Sequence, residues 1–229
     1  MNLPQFILDL VLPRFCVGCS VEGSWFCANC SSRLVPAVNF TCAFCSEASP
    51  AGRPCHKHRA AALDQLVSAG YYHDPILRAA IQRFKYHGAQ ELARPLGQFL
   101  IRTTQTFAAL FPREALVIPV PLHWQRKNER GFNQTELLAK IVSASLRTPL
   151  RSDLLVRFSS ADPQVQLSDP ERRRNLCDAF AVTDPRAVEN QSIILVDDVS
   201  TTGATLEIAA RVLKNAGAKQ VIGLALARG

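Results

Sequence analysis

The chain has 229 residues, 48% of them hydrophobic, enough to bury a substantial core in one large or two smaller domains. No apolar run reaches the length of a membrane-spanning helix, so no such span is expected. The formal charge of +7 invites a nucleic-acid partner, but its weight depends on what the eight cysteines do. From the N-terminus, Phe6, Ile7, Leu8, Leu10, Val11 and Leu12 are interrupted by Asp9. Without a basic n-region or a small-residue cleavage site, residues 1–15 read as a short amphipathic helix that packs on the next element, not as a signal peptide. The expected location is the cytoplasm.

Seven of the eight cysteines follow in one stretch. Cys16 and Cys19, then Cys27 and Cys30, make one pair of C-x₂-C knuckles. Cys42 and Cys45 make a third, followed nine residues later by Cys55-His56-Lys57-His58. Two knuckles per site, each offering two soft ligands, is how small chains hold tetrahedral zinc. The first site reads as Cys₄ and the second as Cys₃His, with His58 closing C-x₂-H and His56 its alternative. Disulfides conflict with a cytoplasmic location, and three tandem C-x-x-C pairs exceed one redox centre. An iron–sulfur cluster is the lesser alternative. Thiolate ligation of two Zn²⁺ by these seven cysteines lowers the charge to about +4, so net charge argues only weakly for nucleic acid. Residues 16–58 lack long periodic runs, and metal is expected to hold them together. Arg33, Arg53, Lys57 and Arg59 offer a basic face. Trp25, Phe26, Phe40 and Phe44 suit either base stacking or a small core, the core being preferred. Cys177, apart from the rest, reads as a core thiol.

Downstream, apolar residues at helical spacing predict helices over 75–87 and 89–108, with Gly88 as the stop between them. Leu116, Val117, Ile118, Pro119, Val120 and Pro121 read as a buried strand, followed by a polar, basic loop over 123–131. That loop leaves the C-terminal end of a strand, where open α/β sheets bind ligands. Arg126 and Arg130 on it are suited to gripping a diphosphate through forked hydrogen bonds. A helix is predicted over 134–147. Ser168-Asp169-Pro170-Glu171 resembles a capping box, and Arg172, Arg173 and Arg174 form a second basic segment. A strand over 193–198, a helix over 204–216 closed by Gly217 and a strand over 220–227 complete the chain. Strands alternating with helices argue for a parallel α/β sheet.

The densest chemistry lies in residues 193–205. Ile193, Ile194, Leu195 and Val196 form the buried strand, and Asp197 and Asp198 stand at its end. Val199, Ser200, Thr201, Thr202, Gly203, Ala204 and Thr205 then lead into a helix. A cap-and-turn of this composition is ordinary in α/β proteins, with Ser200 or Thr205 as N-cap. Two adjacent carboxylates are not ordinary, because charge at such a place is costly unless something compensates it. Backbone N–H groups at a helix N-terminus suit a phosphate, and paired carboxylates suit vicinal hydroxyls. A sugar phosphate carries both. Neither G-x-x-x-x-G-K-[ST] nor G-x-G-x-x-G occurs, so two other phosphate fingerprints are absent.

Residues 196–205 resemble the phosphoribosyl-pyrophosphate (PRPP) motif of type I phosphoribosyltransferases. The resemblance implies that Asp197 and Asp198 contact the ribose hydroxyls and that Thr201, Thr202, Gly203 and Thr205 bind the 5′-phosphate. Pro121-Leu122-His123, Arg126 and Arg130-Gly131-Phe132-Asn133-Gln134 extend it to the ComF/GntX branch. So do Gln164, Leu167, Arg172, Asn175, Ala179-Phe180 and Phe84-Lys85-Tyr86-His87-Gly88. Leu122 and His123 thereby join the PRPP-binding set. That branch carries an N-terminal zinc ribbon, often a double one, with a cysteine common where His58 stands. The implied layout is a double zinc-ribbon domain over 1–62 and a phosphoribosyltransferase-like domain over 63–229. The implied activity is transfer of a phosphoribosyl group from PRPP with Mg²⁺, catalysed through Asp197, Asp198, Arg126 and Arg130 without a protein nucleophile. The implied setting is natural competence, DNA uptake or use of DNA as a nutrient, with single-stranded DNA and DNA-uptake proteins as partners. A non-catalytic PRPP sensor and a single-stranded-DNA-binding accessory are the alternatives.

Overall fold

The computed structural model describes residues 13–86, 89–158 and 180–229. In chain order the regular elements are α1 (Ala28–Ser32), β1 (Gln65–Tyr71), α2 (Pro75–Tyr86), α3 (Ala93–Thr106), β2 (Leu116–Pro119), α4 (Trp124–Arg130) and α5 (Gln134–Leu146). Then come β3 (Leu155–Arg157), β4 (Phe180–Val182), α6 (Pro185–Val188), β5 (Ser192–Ser200), α7 (Ala204–Asn215) and β6 (Gln220–Arg228). Four strands form an all-parallel sheet in the order β1-β6-β5-β2, and β3 pairs antiparallel with β4.

Strands of such a sheet are covered on both faces and so read as continuous apolar runs, which is why β5 was visible in the sequence. Its side chains alternate between two cores. Ile194 and Val196 join Leu77, Ile81 and Phe84 of α2, Phe99 and Leu100 of α3, and Leu138 and Val142 of α5. Ile193 and Leu195 join Leu206, Ala209 and Leu213 of α7, with Leu155 and Phe180 of the hairpin. Truncating one of these fully buried leucines should cost about 2–5 kcal/mol.

The cysteine-rich segment does not stand apart. Cys16, Phe26, Cys30 and Leu34 enter the core beside α2 and α3, and Ala43 enters the core beside α7. Between them the chain follows the outer edge of β1, where Ala37 N–H donates to Ala69 O at 2.8 Å. Gly52, at φ +74°, sits so close that a Cβ would lie 2.1 Å from Leu66 O. The segment thus covers an edge strand that would otherwise expose unpaired backbone groups. The segment accordingly has a means of cohesion besides any metal: it borrows the α/β core.

Most predicted helices and strands occur with ends shifted by a residue or two. Three differences have physical reasons. Residues 123–131, read as a loop, contain α4, because Gln125, Arg126, Lys127, Glu129 and Arg130 are good helix formers and Gly131 at φ +74° stops them. The predicted 89–108 helix opens with a short 3₁₀ turn, Gln90–Leu92, before α3. Strand β5 runs on through Val199 and Ser200 because β6 extends alongside to Arg228. The expected helix over 1–15, the capping box at 168–171, the basic segment 171–175, His87, Gly88 and Cys177 lie wholly or largely outside the described residues. Among the described residues no helix is long and apolar enough to cross a membrane.

Candidate functional site

Asp197 and Asp198 sit at the C-terminal end of β5, in the middle of the sheet, 8% and 6% exposed. Strand alternation sends them to opposite faces. Asp198 continues the Ile194–Val196 row towards α2 and α5. Its Oδ1 meets Lys85 Nζ at 2.7 Å, and its Oδ2 accepts from Gln134 Nε2 at 2.7 Å. Asp197 continues the other row, and its Oδ1 accepts the backbone N–H of Asp198 at 2.8 Å. Burial first, and the neighbouring Asp198 second, push the Asp197 carboxyl up to about 8. Lys85 and Arg157 oppose that shift. Burial holds the Arg157 guanidinium below its usual value, with Arg126 adding to the effect.

Beyond the acids the chain turns at Gly203, φ +73°, directly into α7. The N-cap is Gly203, which has no side chain to cap the helix, rather than the Ser200 or Thr205 expected. Thr202 Oγ1 lies 3.4 Å from the Ala204 N–H. Asp197 and residues 199–205 together line an open hollow of about 210 Å³. Ser200 Oγ and Gln134 Oε1 are buried without a partner among the described residues. Backbone N–H groups at a helix N-terminus, hydroxyls and the Asp197 carboxyl around one hollow fit an anionic, polyhydroxylated ligand.

The remaining predicted residues gather next door. Val120 N–H donates to Val196 O at 2.9 Å, so Leu122 and His123 leave β2 beside the acid pair. Asn133 caps α5 and Thr135 Oγ1 donates to Val120 O at 2.6 Å, which fixes Gln134 at the start of that helix. Arg126 is exposed on α4, close enough to Arg157 to be felt electrostatically. Arg130 instead packs its guanidinium over the Tyr86 ring, 5.0 Å from the centroid. Sequence reasoning assigned no role to Lys85, Gln134 or Arg157. Each comes from an element remote in sequence, and Lys85 and Gln134 were marked only as members of the ComF/GntX signature.

Two clusters in the N-terminal segment could each hold a metal ion. Cys16, Cys19, Cys27 and Cys30 bring their sulfurs within 4.8 Å of one another, as do Cys42, Cys45, Cys55 and His58 their ligand atoms. His58 turns Nδ1 towards Cys42 and Cys55, at 3.6 and 3.3 Å. His56 falls instead in an exposed group with Glu47 and Cys55. Burial raises the Cys16 thiol, but N–H groups of Cys27, Gly18 and Cys19 outweigh it and bring it to about 6. Cys42 behaves likewise, with donors from Cys55, Phe44 and Cys45. Convergent soft donors with N–H···S support fit zinc. The aromatics turn inward: Phe26 is buried, Phe40 packs edge-on to Phe107, Phe44 lies by His58, and Arg83 covers Trp25 at 4.0 Å.

The second cluster is attached to the hollow. Gly203 packs against Ala43, whose carbonyl oxygen would lie 2.8 Å from an added Cβ. Buried Arg228, at the end of β6, donates from Nη2 to Cys42 O at 2.9 Å and Ser46 Oγ at 3.1 Å. Glu207, in the first turn of α7, accepts the N–H groups of Ala62 and Leu63 at 3.0 Å.

Comparison with known proteins agrees with this geometry. The phosphoribosyl transferase domain family matches residues 134–229. The chain is 31% identical to competence protein F of Haemophilus influenzae, over 96% of this chain and 93% of that protein. The chain belongs to the ComF family. Other relatives of this ComF protein include DNA utilization protein YhgH of Escherichia coli O157:H7, 32% identical over 91% of this chain and 95% of that one. Competence protein ComFC of Bacillus subtilis is 29% identical over 83% and 78%. Among solved structures, an allosteric regulatory enzyme of purine biosynthesis matches at TM-score 0.41 and 19% identity, over 57% of this chain and 24% of that one, too loosely to argue from.

Proposed function

We propose that this ComF protein binds PRPP with Mg²⁺ at the β5–α7 turn and uses it as a phosphoribosyltransferase. The observation that carries the reading is the acid pair near the end of a central strand, followed across residues 199–203 by a helix N-terminus whose N-cap, Gly203, has no side chain. On this reading Asp197 and Asp198 take the ribose hydroxyls, with residues 199–205 around the 5′-phosphate. Leu122, His123, Arg126 and Arg130 lie on the diphosphate side. Transfer of the phosphoribosyl group to an acceptor releases pyrophosphate and needs no protein nucleophile, so the protein's work is positioning and charge stabilisation. Mg²⁺ would offset the diphosphate charge. Residues 1–62 form the zinc-binding portion and 63–229 the phosphoribosyltransferase-like portion. Metal thiolates call for a reducing compartment, which goes with a cytoplasmic location.

Calorimetry with PRPP and Mg²⁺ tests the site. Wild type should bind, and Asp197→Asn with Asp198→Asn should weaken binding at least about tenfold, roughly 1.4 kcal/mol. Release of pyrophosphate with a panel of nucleobases tests turnover. No release with any acceptor would leave a PRPP sensor.

The names of the relatives support a second role in competence or DNA utilization, with single-stranded DNA as ligand and DNA-uptake proteins as partners. Exposed Arg33, Arg53 and Arg59 supply the positive surface. Binding of single-stranded DNA should then fall steeply with added salt. No band shift at low salt would remove that role.

A further inference from the structure

Lys85 occupies a place that ordinary packing does not require. A cation in the last turn of a helix is commonplace, favoured there by the helix dipole, and usually points to solvent. This one turns inward: its side chain is 18% exposed and its ammonium lies 2.7 Å from Asp198 Oδ1. The other oxygen of Asp198 is already taken by Gln134, which is 1% exposed and fixed at the first turn of α5. Each oxygen of Asp198 therefore carries one protein donor and keeps one acceptor site, so a ribose hydroxyl competes with these donors for the carboxylate and gains most if one of them yields. Gln134 is locked in by Asn133 and Thr135, whereas Lys85 hangs on a four-carbon stem with three rotatable donors.

The surroundings say what would draw the ammonium away. Lys85 pairs with Asp198, Lys85 and Arg157 both act on Asp197, and Arg126 acts on Arg157. Cations from α2 and β3 thus flank the acid pair, and a third, on α4, stands near Arg157. A ligand with a vicinal diol and a diphosphate offers an exchange: the diol donates to Asp198 while the diphosphate takes the ammonium. A ligand with the diol and only a 5′-phosphate offers half of it.

We propose, on the phosphoribosyl reading above, that Lys85 is a diphosphate-binding residue, held on Asp198 and handed to the ligand's diphosphate as the ribose hydroxyls replace it. It thereby sets the preference of the site for a phosphoribosyl diphosphate over a phosphoribosyl monophosphate. The buried, unpartnered Oε1 of Gln134 is left as an acceptor beside the same carboxylate.

Calorimetry on the full-length, zinc-loaded protein with Mg²⁺ tests this with three probes: PRPP, inorganic pyrophosphate and ribose 5-phosphate. Lys85→Ala should weaken PRPP and pyrophosphate at least tenfold and change ribose 5-phosphate less than threefold. Lys85→Gln keeps a donor for Asp198 without the charge, and it should lose the diphosphate ligands as Ala does. Lys85→Arg should retain them within threefold. Equal losses for all three probes in both neutral variants would make Lys85 a structural prop for Asp198 and overturn the proposal. So would wild type that binds ribose 5-phosphate but not pyrophosphate. Wild type that binds none of the three would overturn the phosphoribosyl reading itself, and Lys85 with it.

Discussion

Asp197 is the residue at which the cost of this site can be measured. Its carboxyl, raised to about 8 by burial and by Asp198, stays protonated at neutral pH in the folded chain, whereas in the unfolded chain it ionises near the usual value of about 4. Between those two values the native state holds more protons than the unfolded state. Stability from this group is therefore complete at low pH, declines as pH rises, and levels off above about 8. Asp197→Asn keeps the shape and removes the titration. Melting wild type and variant side by side from pH 6.5 to 9, with zinc present throughout, should show the variant gaining on wild type up to about pH 8 and then holding its lead. A constant difference across the series would mean that the acid does not titrate there. The acids themselves were legible because two carboxyls after an apolar strand are a local pattern. Their contact with Lys85 and Gln134 was not, although both residues stand in the ComF/GntX signature, since Gln134 lies 64 residues away and only tertiary packing brings it to Asp198.

At the scale of elements, the second cysteine cluster and the phosphate turn are one packing unit. Gly203 rests on Ala43, Arg228 holds Cys42 and Ser46, and Glu207 holds Ala62 and Leu63. The first cluster packs elsewhere, with Arg102 of α3 donating to Ser31 O and Leu34 O at 3.0 and 2.9 Å. The two clusters should therefore differ in effect. Cys55→Ser should weaken ribose 5-phosphate binding by about tenfold, and Cys27→Ser by less than about threefold, when calorimetry is paired with a zinc count on each variant. Equal effects would mean that the second cluster is not the wall behind the turn. Gly203→Ala meets the same wall. Its left-handed backbone and the Ala43 carbonyl should together cost roughly 1–2 kcal/mol or more by denaturant unfolding. None of this contact was readable beforehand. Strand β1, which the ribbon covers, also escaped notice. Gln65, Ser68 and Gly70 break its apolar run, and the ribbon rather than its own side chains completes that edge. Helix α4 was missed for the opposite reason: after Trp124 its residues are all polar, so no apolar stripe marks it.

For the whole molecule, the parallel α/β plan followed from the order of apolar strands and periodic helices. What the order of residues did not convey is that the metal-binding segment and the sheet share cores. Cys16, Phe26, Cys30 and Leu34 pack with α2 and α3, and Ala43 with α7. That sharing decides what loss of metal should do. An independent ribbon would unfold by itself and leave residues 63–229 standing. Structural zinc in finger peptides is worth on the order of 10–16 kcal/mol apparent free energy, and a whole domain is stable by only about 5–15 kcal/mol. With two such sites feeding both cores, removal should therefore destabilise the sheet as well as the ribbon. Calorimetric melting after a strong chelator should show one transition, moved to much lower temperature or lost, instead of a surviving transition for the larger part. Two separate transitions, the upper one unmoved by the chelator, would show that the shared packing is not energetically coupled, and that the ribbon rides on the sheet without supporting it.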